Sequence, residues 1–88
     1  MSHTEQVPLT ELRTALHIFV AAMVDDPTAV VISHSKEQGA IRYRIQVAPT
    51  DIGKMVGKQG RTARAMRILL HGAGVKYGEN VTLDIDGL

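Results

Sequence analysis

From Leu9 to Met23, apolar side chains recur at Leu9, Leu12, Leu16, Phe19, Val20 and Met23. Steps of three and four residues place them in one stripe along a helix, so the spacing predicts an amphipathic helix with a buried face. Pro8 suits its first turn, where a missing N–H costs nothing. Asp25-Asp26-Pro27 ends it, because proline disfavours helix in the residue before it. Ile18 and Val24 widen the stripe and leave some apolar surface for a partner, although core is the simpler reading. Ahead of this helix, residues 1–7 are expected to form a polar, flexible tail.

The period then changes. Ala29 to Ser33 is short and β-branched, which predicts a strand, and Lys36 to Gly39 a turn. Ile41, Tyr43, Ile45 and Val47 alternate with Arg42, Arg44 and Gln46, the period of two expected of a strand with one covered face. The two runs are expected to pair as an antiparallel hairpin. Pro49-Thr50-Asp51 breaks the pattern and offers Thr50 as a helix N-cap, with Asp51 favourable at the positive end of the helix dipole. A very short helix over Asp51 to Val56 follows, then a four-residue loop and a second helix from Arg61. Ala63, Met66, Leu70 and Ala73 form its core stripe, while Arg61, Arg64 and His71 share another face. Gly72, Gly74 and Gly78 are expected to stop it. Val81, Leu83 and Ile85 alternate with Thr82, Asp84 and Asp86 in a final strand. The order is α-β-β-α-α-β, without repeats, in one α+β domain over residues 8–88.

Composition narrows the chemistry. Eighty-eight residues allow one core, and with one Phe, two Tyr and no Trp that core must be aliphatic. The same scarcity limits the aromatic stacking of bases that many single-strand binders use. There is no cysteine, so disulfides and thiolate metal sites are excluded. Ile18 to Val24 is too short to span a bilayer, and a cytoplasmic location is expected, with no membrane partner. Charge is the more telling feature. Residues 51–67 carry Lys54, Lys58, Arg61, Arg64 and Arg67 against Asp51, a net of +4, whereas the remaining five basic and eight acidic residues net −3. One concentrated basic segment on a nearly neutral protein suggests a local anion site.

That segment contains a glycine-rich run, and its register decides what it can be. A Walker A loop needs four residues between its first glycine and Gly-Lys-Ser/Thr; Gly53 precedes Gly57-Lys58 by three, and Gln59 replaces the hydroxyl. A dinucleotide fingerprint needs G-x-G-x-x-G between a strand and a helix, and no glycines here are so placed. What remains is Ile52-Gly53-Lys54-Met55-Val56-Gly57-Lys58-Gln59-Gly60-Arg61-Thr62. This run resembles the signature of KH domains, I-G-x-x-[I/V]-G-x-x-G between two helices, and the element order resembles their bacterial, type II arrangement. In size, order and motif the whole chain is similar to the small bacterial KhpA family. The resemblance implies a three-stranded mixed sheet covered on one face by three helices, and a cytoplasmic RNA-binding protein. It further implies RNA-chaperone or post-transcriptional work linked to cell elongation or division. As partners it implies single-stranded RNA, a second copy, and the larger KH/R3H protein KhpB, also called Jag or EloR.

The physical case stands beside the resemblance. Two glycines three apart permit a tight reversal and let a sugar-phosphate backbone approach closely. The loop opens into a helix N-terminus, whose N–H groups and partial charge favour phosphate. The residues expected to bind RNA are Ile52, Gly53, Lys54, Val56, Gly57, Lys58, Gln59, Gly60, Arg61 and Arg64. Ile52 and Val56 would supply an apolar wall for bases, and Lys58, Arg61 and Arg64 the charge. Without aromatic side chains beside it, the site should show modest base specificity and strong salt dependence. As a general property of KH domains, and not one read from this chain, such a loop clamps about four nucleotides.

Other constellations have simpler explanations. His3, His17, His34 and His71 have no ligand-like spacing, so no metal or cofactor is expected; His71 is a minor phosphate-contact candidate. Asp84 and Asp86 resemble paired catalytic carboxylates, but cross-strand pairing with Arg42 and Arg44 explains them more simply; Arg42 and Arg44 rank after the loop as candidates for touching RNA. No nucleophile–base set or nucleotide motif survives, so neither an enzyme nor a small-molecule substrate is expected. The rival to RNA binding is a protein-interaction module built on dimerisation.

Overall fold

A computed structural model describes residues 7–87, so the expected tail over 1–6 with His3, and Leu88, lie outside the described residues. The elements are α1 (Leu9–Met23), β1 (Val31–Glu37), β2 (Ala40–Gln46), α2 (Ile52–Val56), α3 (Arg61–Tyr77) and β3 (Asn80–Ile85). The strands lie in the order β1-β2-β3, with β1 antiparallel to β2 and β3 parallel to it. A parallel pair needs a crossover connection, and here α2, the glycine loop and α3 supply it. The loop is therefore the turning point of the crossover and sits at an end of the sheet.

One face of the sheet carries the core. Ile32, Ile41, Tyr43, Ile45, Val81, Leu83 and Ile85 are buried against Leu16 and Val20 of α1, Met55 of α2, and Ala63, Met66 and Leu70 of α3. Each fully buried aliphatic side chain contributes about 1.5–3 kcal/mol over leaving it in water. Tyr43 is the one buried aromatic of the sheet; its hydroxyl donates to the Leu9 carbonyl at 2.8 Å, which satisfies the polar tip and ties α1 to β2. Burial pushes the Tyr43 hydroxyl above its ordinary pKa.

Several boundaries differ from the sequence expectation. Val7, assigned to the tail, is buried at 6% exposure and belongs to the core, while Phe19 of the expected stripe is 45% exposed. Pro27–Ala29 wind into one 3-10 turn, so β1 starts at Val31 instead of Ala29. It then runs on to Glu37, because the reversal needs only Gln38 (φ 43) and Gly39 (φ 80), a two-residue loop with both residues left-handed, whose twist matches the strands. Thr50 is not a cap: Pro49–Asp51 form another 3-10 turn, and α2 starts without a side-chain cap.

Gly72 and Gly74 do not stop α3 either. The helix continues to Tyr77, where Gly78 (φ +71) takes the left-handed conformation. Glu79 N–H then donates to the Gly74 carbonyl at 2.8 Å and Gly78 N–H to that of Val75 at 3.2 Å, the paired closure of a Schellman cap. Gly74 is buried in the packed face, where a Cβ would collide with the Glu79 carbonyl and Val81. It is a packing residue that lets α3 lie close to the start of β3.

Candidate nucleic-acid interface

The loop owes its shape to three positive φ angles in four residues. Gly57 (φ 72, ψ 179) lies in a region open essentially to glycine alone, Gln59 (φ 57, ψ 28) is left-handed, and Gly60 (φ 72, ψ 17) is left-handed as the residue before α3. A Cβ at Gly57 would collide with the Thr62 hydroxyl, which folds back under the loop from the first turn of α3. Gly57 N–H donates to the Gly53 carbonyl at 3.0 Å, closing α2, and Gly60 N–H to the Gly57 carbonyl at 3.3 Å, closing the loop. Lys58 and Gln59 are left exposed at the tip.

Cations gather on that tip. Arg64 donates to the Gln59 carbonyl at 3.4 Å and Arg61 to the Gln59 side-chain oxygen at 3.5 Å, both on the surface. α3 starts without a side-chain cap, so its first-turn N–H groups and the positive end of its dipole add to Lys58, Arg61 and Arg64. No carboxylate forms an ion pair with these three cations among the described residues. The arrangement is a small anion-receptive surface whose backbone is bare of side chains at Gly57 and Gly60.

The remaining expected site residues divide. Gly53 is exposed with open space around it, and Val56 is half-buried behind the loop. Ile52 is half-buried beside Gly87, where a Cβ would meet its side chain. Lys54 is held away from the tip: its ammonium pairs with Asp25 at 3.1 Å and Asp51 at 3.7 Å. The hydrogen bond to Asp25 raises its pKa above the ordinary lysine range. The structure thus brings Gly57 to Arg61 and Arg64 together, and ties Lys54 into a different cluster.

That cluster escaped the sequence reading. Asp51 is completely buried, and its carboxylate accepts the N–H groups of Asp25 and Asp26, each at 3.1 Å. The Asp25 hydrogen bond leads in holding its carboxyl below the ordinary carboxylate range, against the opposing effect of burial. Asp51 therefore fastens the loop after α1 to the start of α2, and so sets where the glycine loop sits. Only the Asp51–Lys54 spacing of three hinted at a contact; the partner 26 residues away left no sequence signal. Thr62 and Arg67 were also missed. Arg67 Nε reaches the Leu83 carbonyl at 3.5 Å, bridging α3 and β3.

The expected cross-strand pairing is present: Arg42–Asp84 at 3.3 Å and Arg44–Asp86 at 2.6 Å, with Gln46 donating to the second Asp86 oxygen at 3.3 Å. The Arg44 hydrogen bond holds the Asp86 carboxyl below its ordinary range. His34 lies mid-strand with its ring 5.5 Å from that of Tyr43, and His71 is exposed on α3. Among the described residues, no group of three potential ligands gathers as a metal site, and no helix is long and apolar enough to cross a membrane.

The sequence profile of the family described as "KhpA/KhpB, KH domain" matches residues 13–85, from the middle of α1 to the last residue of β3. The chain belongs to this KH-domain family. Among similar proteins is the RNA-binding protein KhpA of Oceanobacillus iheyensis, 32% identical over 74 residues, covering 84% of this chain and 99% of the relative. That of Halalkalibacterium halodurans is 36% identical over 74 residues, covering 84% and 97%. The Caldanaerobacter subterraneus subsp. tengcongensis protein of the same name is 41% identical over 64 residues, covering 73% and 85%. Membership accounts for the α-β-β-α-α-β order, and the matched span takes in the glycine loop, the Asp51 anchor and the sheet.

Proposed function

We propose that this domain binds single-stranded RNA by holding its sugar-phosphate backbone on Gly57-Lys58-Gln59-Gly60, with Arg61 and Arg64 supplying further charge. The observation that carries the reading is the loop itself: glycine backbone open to close approach, no paired carboxylate among the described residues, and cations converging on an uncapped helix N-terminus. Ile52 and Val56 offer the bases a modest apolar wall, and Gly53 leaves room beside it. Lys54 acts mainly as a strap to Asp25. The function is binding without catalysis, cofactor or metal. The family resemblance extends it to a cytoplasmic RNA chaperone or post-transcriptional regulator linked to cell elongation or division. Three cations on one strand give a salt slope of about −2 in log K against log salt. Titration of short single-stranded RNA at several salt concentrations measures it. The Lys58→Asp/Gln59→Asp double variant should stay folded and lose binding; unchanged affinity in the folded variant would overturn the reading.

A second reading, self-association, has its own support. An apolar groove of about 230 Å³ runs between α1 and α3, lined by Leu12, Ala15, Phe19, Met66 and Leu69. Of its lining residues, Leu69 is 73% exposed. The proposed occupant is the same groove of a second copy, as a two-fold pairing of like surfaces requires, with a KhpB-type KH domain as the alternative partner. Sedimentation of wild type against Leu69→Glu tests it: a dimer that the variant abolishes supports pairing here, and a wild-type monomer at high concentration rejects it.

A further inference from the structure

A concavity of about 620 Å³ lies away from the loop. It lies on the side of the sheet that the helices leave open, and Arg42, Arg44, Arg67, Asp84 and Asp86 line it with Ser33 and Ser35. Arg67 comes from the opposite side of the sheet. Asp86 N–H donates to the Ile45 carbonyl at 2.9 Å, so even-numbered positions of β3 face β2, and the Leu83 carbonyl faces the free edge. Arg67 meets that carbonyl and thus crosses the edge of β3. It is also the third step of a ridge: Arg61, Arg64 and Arg67 follow one another every three residues along α3, about 9 Å from first to last along its axis. The ridge begins at the glycine loop and ends in the open-face concavity.

The chemistry of this concavity differs from that of the loop. Three guanidiniums face two carboxylates, so its charge is nearly balanced and phosphate gains little there. What it offers is flat surface and hydrogen-bonding edges. Asp84 and Asp86 hold the guanidinium edges of Arg42 and Arg44 by ion pairs while both arginines stay more than half exposed. A guanidinium fixed by its edge leaves its plane free to stack on a base. Carboxylates beside it accept the amino hydrogens of cytosine or guanine. Stacking surfaces are otherwise scarce: Tyr43 is buried, and Phe19 and Tyr77 stand on helices.

We propose that the open face of the sheet is a second nucleotide-binding surface, on which an RNA strand held at the loop passes Arg67 and stacks its following bases on Arg42 and Arg44. The inference rests on the reading of the loop as an RNA site and lengthens the footprint beyond it. The occupant is single-stranded RNA, because the ridge joins this face to the loop and the face matches bases better than an acidic or apolar protein surface.

The experiment compares single-stranded RNAs of about four and about eight nucleotides, titrated into wild type, Arg42→Gln/Arg44→Gln and Arg44→Lys. Wild type should bind the longer RNA about a hundredfold tighter, the equivalent of two stacked bases at about tenfold each. The double Gln variant should bind both lengths as weakly as wild type binds the shorter. Arg44→Lys should lose most of the gain although it keeps the charge, since an ammonium has no plane to stack. Equal affinity of wild type for both lengths, or a length gain that survives in the double variant, overturns the proposal. Failure of the loop reading looks different: wild type then binds neither length. Should the double variant lose its fold, amide shifts in wild type decide. The longer RNA, and not the shorter, must move Thr82 and Asp84; if it does not, the open face is not a nucleotide surface.

Discussion

Two turns of this protein are built on the same dipeptide with similar positive φ angles. Gln38-Gly39 joins β1 to β2 with φ values of 43 and 80, and Gln59-Gly60 joins α2 to α3 with φ values of 57 and 72. In φ they are alike. One is only a hairpin reversal, whereas the other is the candidate RNA site. The difference lies in what flanks them. The hairpin turn sits between Glu37 and Ala40, with Lys36 committed to Glu79 at 3.6 Å. The loop has Gly57 before it, an uncapped helix after it, and Arg61 and Arg64 bent back over it. A left-handed Gln-Gly makes a turn; an anion site needs a helix N-terminus and converging cations as well.

The comparison breaks most strongly at the glycines. Gly57→Ala should cost about 3 kcal/mol, because the methyl group meets Thr62 and the backbone sits where only glycine is at ease. Gly39→Ala has open space and should cost about 1 kcal/mol, for the left-handed backbone alone. Urea denaturation of both variants checks the ratio, and equal losses would mean that the loop is no more constrained than the hairpin.

A smaller effect separates the turns by charge. Gln59→Asp should weaken binding of single-stranded RNA about tenfold, by setting a carboxylate among Lys58, Arg61 and Arg64. Gln38→Asp places the same group at another left-handed turn position and should leave affinity within about twofold, a contrast of about 1 kcal/mol. Fluorescence titration of both variants tests it; a similar loss in each would make the effect one of overall charge.

The smallest expected effect is acid sensitivity. Asp51 anchors the chain leading into the loop, and among the described residues no buried carboxylate serves the hairpin turn. Its folded pKa lies below the ordinary 3.8. Its stabilisation is therefore complete above that value and is lost as pH falls through the lower folded value. The carboxyl carbon resonance of Asp51 should titrate below the ordinary value while the amide resonances of Gln38 and Gly39 stay still. Asp51→Asn should lower Tm by about 5 °C at neutral pH and flatten the acid limb of the stability curve.

The element order was legible in the sequence because each element has one covered face and periodicity reports exactly that, as in Ile41-Tyr43-Ile45 against Arg42-Arg44. The loop was legible because its glycines are contiguous and its cations lie within eight residues of Gly57. Ends of elements were harder to place. Gly74 looks like a helix stop but is a packing residue, since only the approach of Glu79 and Val81 reveals why it lacks a side chain. Phe19 fits the helical stripe, yet the stripe is wider than the surface the sheet has left to cover.

By itself, then, the sequence determined the order of strands and helices, the inner face of the sheet, and the glycine loop with Lys58, Arg61 and Arg64, all of them short-range patterns. Tertiary structure alone decided that Asp51 reaches the backbone of Asp25 and Asp26, that Lys54 is a strap, and that Arg67 crosses the edge of β3. Those contacts join groups 16 to 29 residues apart. They depend on how the crossover folds the chain back on itself, and spacing along a single chain holds no record of that.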